Sequence, residues 1–222
     1  MGKIIVIYNP KAHLNRRDPK KPGRLARLLG RYGEVEETHS EEEVEAHARW
    51  CRDHDVDIVA ICGGDGTYQS TLTKFMKVYG DKPLPAFALL RGGTMNNIGR
   101  TLGIDPSSEK SVQVLMKKYK NGRNFRFREP TILDVNGEYG FIFGTGVIST
   151  FLEAYYKEKR RGPIGAATLF TKAVLSAIVG GEFAQKLTEP LPLEVTLDQR
   201  PLPLDRYTVL AVCTVKHLGF GF

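Results

Sequence analysis

The sequence predicts an α/β protein: an N-terminal parallel sheet with helices on both faces, followed by a β-rich second domain that carries a helical insert. Two observations carry the first half. Short runs of branched aliphatic residues alternate with segments whose apolar residues recur at helical spacing, and two of those runs end in glycine pairs. A third carries the second half. Beyond the polar link Lys120-Asn121-Gly122-Arg123-Asn124 the apolar residues alternate with polar ones, the period of a half-buried strand. The expected boundary falls near residue 125, with 1–125 as the α/β domain and 126–222 as the β-rich one.

Taken in order, Lys3 to Tyr8 reads as a buried strand closed by Asn9-Pro10, where proline biases the preceding residue away from helical geometry. Residues 18 to 30 place leucines at helical spacing and end on Gly30, and Glu34 to Thr38 reads as an edge strand. Ser40 stands three residues before Glu43 at the head of an acidic run, the pattern of a capping box. The next expected elements are the strand 57–62, a helix from about Gly66 to Tyr79, the strand 86–90 and a helix over 107–118. In the second half Phe125 to Arg128 and Thr131 to Val135 alternate, and Asn136-Gly137 is the residue pair that a tight hairpin turn demands. A helical interlude over about 147–178 precedes strands expected at 193–197 and 207–213.

Composition narrows the partners. With 32 Lys and Arg against 25 Asp and Glu, the 222-residue chain carries a formal charge of +7, which favours anionic partners. Nucleic acid is not expected among them, because the charge is not interleaved with aromatics on one element. Cys51, Cys62 and Cys213 are widely spaced and odd in number, which fits neither a disulfide framework nor a zinc site and agrees with a reducing, cytoplasmic setting. No run is long enough for a membrane span.

Gly63-Gly64-Asp65-Gly66-Thr67 follows a strand and opens a helix, so it is either a bend or a backbone shaped to approach phosphate. Asp65 would be repelled by phosphate, and its work would be on Mg²⁺, through water, or on a hydroxyl. Gly92-Gly93-Thr94-Met95-Asn96-Asn97 repeats the arrangement after the next strand, and the two loops would share the carboxyl edge of the sheet, where ligands bind in open α/β folds. Asn97 alone reads as a helix cap. Walker A and dinucleotide fingerprints are both missing from the sequence.

With Asn9-Pro10, Glu37-Thr38, the GGDGT run at 63–67, Gly93-Thr94 with Asn96, and Arg100-Thr101-Leu102-Gly103-Ile104, the chain resembles the diacylglycerol kinase catalytic domain superfamily of lipid kinases. GGDGT is shared with NAD kinases, which leaves that activity, or a non-catalytic nucleotide- or lipid-binding module, as the alternatives. The resemblance implies a nucleotide-binding first domain, ATP and Mg²⁺ as cofactors, and a diacylglycerol-like lipid as acceptor. It implies an ATP site lined by Asn9, Thr38, Gly63, Gly64, Gly66, Thr67, Gly93, Thr94 and Asn96. Asp65 would serve the metal or the phosphoryl transfer, with Glu153 at the lipid head group and Arg160 at the transferred phosphate. The basic stretch Arg16, Arg17, Lys20, Lys21, Arg24 and Arg27 either meets an anionic membrane surface transiently or is ordinary surface.

Two departures stand out. Met95 and Asn97 occupy positions where the family has Gly and Asp, and the chain ends at Phe222 where relatives continue into a glycine-rich turn and further strands. The expectation is therefore a chain truncated at its C-terminus, short of an acidic residue for the lipid hydroxyl. Its unpartnered strand edges would favour association into a homodimer.

Overall fold

A computed structural model of the chain describes residues 3–94, 96–104, 107–122, 125–158 and 163–215. The elements begin with β1 (Ile4–Tyr8), α1 (His13–Arg16), α2 (Lys21–Leu29), β2 (Gly33–Glu37), α3 (Glu41–Asp53), β3 (Ile58–Gly63) and α4 (Asp65–Tyr79). Then follow β4 (Ala86–Arg91), α5 (Asn97–Leu102), α6 (Ser108–Lys120), β5 (Leu133–Val135), β6 (Glu138–Gly140), β7 (Ile142–Gly146) and α7 (Val147–Lys157). The chain continues through α8 (Pro163–Ile178), α9 (Glu182–Thr188), β8 (Leu191–Pro192), β9 (Thr196–Leu197), β10 (Arg200–Pro201), β11 (Arg206–Tyr207) and β12 (Val209–Cys213).

β1 to β4 form one parallel sheet in the order β2-β1-β3-β4. Both central strands are buried along their whole length, as a parallel sheet covered on two faces requires. The pleat sorts their side chains. Ile5, Ile7, Val59 and Ile61 pack with Val44, Ala48, Leu72 and Phe75 from α3 and α4. Ile4, Val6, Ile58 and Ala60 pack with Leu25, Leu29, Val112 and Met116 from α2 and α6. These two cores are the layers the alternating sequence predicts.

Local rules set the ends of the elements. Ser40 Oγ accepts the Glu43 amide at 3.3 Å, but Glu43 reaches back to the His39 amide at 2.7 Å, so the expected capping box is shifted by one residue on its return arm. Asn136 and Gly137 take positive φ, 54° and 78°, and turn β5 into β6. Phe125 to Arg128, expected as a strand, is in no strand, and β5 begins only at Leu133. This stretch runs beside the open edge of β4, where a groove of about 990 Å³ is lined by Leu89, Leu115, Lys118, Phe127 and Arg128 among others.

The compact units divide differently from the expected boundary at residue 125. One unit holds Met1–Phe141 with the stretch from Cys213 on, and the other holds Ile142–Val212. The hairpin stays with the first unit because Thr73 Oγ1 of α4 both donates to the Tyr139 carbonyl at 3.1 Å and accepts its amide at 3.0 Å. Thr214 returns to the same unit by donating its amide to Phe141 O at 2.9 Å. The second unit contains α7, α8 and the unforeseen α9, followed by strands that pair in twos. Among the described residues no single helix is long and apolar enough to cross a membrane.

Candidate functional site

At the carboxyl edge of the sheet two glycine turns meet, one after β3 and one after β4. Their contact is backbone on backbone. A Cβ at Gly93 would stand 2.5 Å from Gly64 Cα, and one at Gly92 would stand 2.8 Å from Gly63 Cα and 2.6 Å from Asn15 Nδ2. The amides of Gly92 and Gly93 both donate to the Gly63 carbonyl, at 2.6 and 2.9 Å. Gly92 and Gly93 are therefore required by the close approach of the first turn, and Gly63 by the Thr67 side chain that a Cβ there would run into, before any ligand is considered.

Gly66 has no such reason. It lies in the first turn of α4, its φ is not in the left-handed region, and a Cβ there would meet nothing within 4 Å. A helical glycine costs roughly 1 kcal/mol relative to alanine, so its use here opens space rather than relieving a clash. The amides of Asp65 and Gly66 have no acceptor among the described residues, as expected for the first turn of a helix. Thr67 Oγ1 accepts from Asn9 Nδ2 at 2.9 Å and from the Gly64 amide at 3.4 Å, which leaves its proton free to be donated outward. Together these groups leave donors open at the positive end of a 15-residue helix, an arrangement that favours negative charge.

Asp65 spans the two turns. One carboxylate oxygen accepts the Asn97 amide at 3.0 Å and the other the Ile98 amide at 3.1 Å, so Asp65 caps α5 across 32 residues of sequence. Asn97, read from sequence as a cap, is instead the first residue of α5 and is capped. Among the described residues no group of three His, Cys, Asp or Glu could hold a metal ion. The residues therefore fit a phosphate chain, and a Mg²⁺ carried on it, better than a metal held by protein alone, since Mg²⁺ keeps most of its water and needs few carboxylates.

The remaining expected residues are spread more widely. Thr38 is buried, its amide donating to the Tyr8 carbonyl at 2.9 Å and its hydroxyl directed at the same oxygen at 3.4 Å. Asn96 is also buried, in a left-handed conformation with φ 53°, and its Oδ1 accepts from Tyr68 Oη at 3.2 Å. Thr94 is exposed beside Arg91. Glu153 is exposed on α7 of the second unit, and Arg160 lies outside the described residues. Burial, with Cys62 and Asp65 nearby, holds the Tyr68 hydroxyl well above its usual range, so it serves as a neutral hydrogen-bond donor.

Sequence reasoning missed a buried polar group beneath the turns. Asn15 Nδ2 donates to the carbonyls of Asn9 and Cys62 at 2.8 and 3.0 Å, and its Oδ1 accepts from Lys21 Nζ at 3.0 Å. Lys21 Nζ and Ser108 Oγ both donate to the Arg91 carbonyl, at 2.8 and 2.7 Å. Of the basic stretch weighed for a membrane surface, Lys21 is buried and Arg24 is engaged by Asp18 and Glu109, so neither is free for lipid.

The profile of the diacylglycerol kinase catalytic domain matches residues 3–123, more than half of the chain. The chain belongs to that family. Among solved structures it is similar to a diacylglycerol kinase from Bacillus anthracis, with 18% identity and a TM-score of 0.63 over 97% of this chain and 65% of the other. It is also similar to a candidate diacylglycerol kinase from that organism, with 19% identity and a TM-score of 0.68 over 98% of this chain and 66% of the other. At that identity the likeness shows a shared α/β fold, and this chain spans about two thirds of the length of those structures. Among curated proteins none matches it. The matched family model is that of a kinase catalytic domain.

Proposed function

We propose that the protein binds Mg²⁺-ATP on the two glycine turns and transfers the γ-phosphoryl group to the hydroxyl of a diacylglycerol-like lipid. The observation that carries the nucleotide half is Gly66, a helical glycine with no internal reason, which leaves the first amides of α4 open to an anion. Family membership supports the lipid half. Phosphoryl transfer needs chiefly positioning and neutralisation of charge, and Mg²⁺-ATP brings both the phosphoryl group and the divalent charge. In this reading the Asp65 and Gly66 amides and the Thr67 hydroxyl hold phosphate oxygens, while Asn9 orients that hydroxyl. Asp65 locks α5 against the first turn and keeps one lone-pair direction on each oxygen for the water shell of the metal. Glu153 and Arg160 are proposed for the acceptor and the transferred phosphate on the family resemblance alone.

The test uses labelled ATP with Mg²⁺ and mixed micelles of detergent and diacylglycerol, with NAD as a competing acceptor. Label is expected in the lipid and not in NAD; label only in NAD would reassign the chain to NAD phosphorylation. Gly66→Ala separates binding from folding. It should raise thermal stability, by up to about 1 kcal/mol from helix propensity, while weakening ATP binding. A variant that is stabilised and binds ATP as well as wild type would remove these open amides from the mechanism.

A further inference from the structure

We infer that Lys21 is a positioning residue for the phosphate-binding turns: it fixes the plane of the Arg91–Gly92 peptide and through it the first turn of α4. The inference rests on the nucleotide reading above and assigns a regulator of geometry to that same site. Lys21 is only 6% exposed, at the start of α2, and its ammonium is held by the Asn15 side-chain oxygen and the Arg91 carbonyl. Among the described residues no carboxylate lies within ion-pair distance of it; the nearby Asp18 and Glu109 are both bound to Arg24. A cation removed from water and held by neutral oxygens is costly, so its position calls for a reason.

The geometry supplies one. The Arg91 carbonyl and the Gly92 amide are the two ends of a single planar unit. Lys21 Nζ and Ser108 Oγ grip its oxygen, and the Gly63 carbonyl takes its N–H at 2.6 Å. Rotating that peptide would break all three bonds together. Gly63 is itself the residue before the Gly64 cap of α4, so the orientation of the plane is passed directly to the amides that face the anion. Asn15 ties the same lysine to the ends of β1 and β3 through the Asn9 and Cys62 carbonyls. The lysine also places positive charge beneath the turns without occupying the space above them. Its loss should therefore affect the phosphate chain and spare the nucleoside.

The experiment measures binding of inorganic tripolyphosphate with Mg²⁺, and separately of adenosine and of ATP, to the full chain by calorimetry. The variants are Lys21→Met, Lys21→Arg and Ser108→Ala. Lys21→Met is expected to weaken tripolyphosphate at least tenfold and to leave adenosine unchanged, with Lys21→Arg recovering part of the loss. A folded Lys21→Met chain whose tripolyphosphate affinity stays within twofold of wild type overturns the inference. If Lys21→Met does not fold, Ser108→Ala removes the second donor to the same carbonyl by deleting one hydroxyl at the start of α6 and must show the same selective weakening; unchanged affinity there overturns the inference equally. A wild-type chain that binds neither tripolyphosphate nor ATP overturns the nucleotide reading and this inference with it.

Discussion

The two compact units differ in how their apolar residues are spent. In the first, β1 and β3 are wholly buried and Phe75, Leu25 and Leu29 are closed off from solvent. In the second, α7 has no buried residue, and α8 exposes Phe170, Ile178 and the following Val179 at 63%, 75% and 79%. The contrast teaches where mutations will register as loss of fold. The first unit has a closed core on each face of its sheet, so it is the part whose stability is set by packing. The second buries Leu169, Ala184 and Leu187 but also presents apolar surface whose worth to folding is smaller, because those side chains stay mostly in water in the folded chain.

The sharpest way to break this comparison is a pair of truncations. Phe75→Ala should cost about 3–5 kcal/mol in denaturant unfolding, whereas Phe170→Ala should stay within about 0.5 kcal/mol. Equal effects would show that α8 packs as tightly as α4. Next in size, Gly93→Ala drives a methyl group against Gly64 Cα and should destabilise by about 1–3 kcal/mol while abolishing ATP binding. Gly180→Ala, in the second unit, meets no neighbour and should suffer only from its φ of 65°, by about 1 kcal/mol. Thermal melts with and without ATP distinguish the two. Asp65→Ala strips the cap from the Asn97 and Ile98 amides and should cost about 1–2 kcal/mol as well as turnover. Asp65→Asn should preserve more of that stability but still eliminate turnover; an undiminished rate would remove the carboxylate from the reaction.

A smaller effect belongs to pH. Hydrogen bonding to Arg24 holds the Asp18 carboxyl below its usual value; for Glu109 partial burial pulls upward, and its own hydrogen bonds to Arg24 and to its backbone amide outweigh that and bring it down. Groups with lowered native pKa values stabilise the fold above their unfolded values and lose that contribution as pH falls through the native ones. Melting temperature should therefore drop between about pH 5 and pH 3, and drop less in Arg24→Leu. Parallel curves would mean the pair contributes nothing. The smallest signal is chemical. Burial raises the Cys51 thiol to about 12 and also raises Cys62, while Cys213 is exposed, so a native chain should take up one equivalent of alkylating reagent and an unfolded chain three.

Much of the first unit was legible because its signals are local. Branched runs gave β1, β3 and β4, leucine spacing gave α2, and Ser40 marked the start of α3. The glycine turns were legible as a pair, and their shared place at the sheet edge followed from the strand order. What the sequence hid depends on contacts between distant residues. Lys21 stands in a Lys-Lys pair among arginines and reads as surface, yet its carbonyl partner is 70 residues away. Asp65 belongs to a motif that directs attention to ligands, while both its oxygens face a helix that starts 32 residues on. Phe125 to Arg128 alternates like a strand but is in none, because alternation specifies which faces differ and not whether a neighbouring strand is present.

The doubled bond to the Gly63 carbonyl gives the molecule a built-in reporter. Gly92 and Gly93 are glycines with their amides directed at one oxygen, and glycine amide nitrogens resonate apart from those of other residues. Once assigned among the chain's 23 glycines, their two peaks in a nitrogen-proton spectrum would thus track the junction of the turns, free of any probe at the ligand itself.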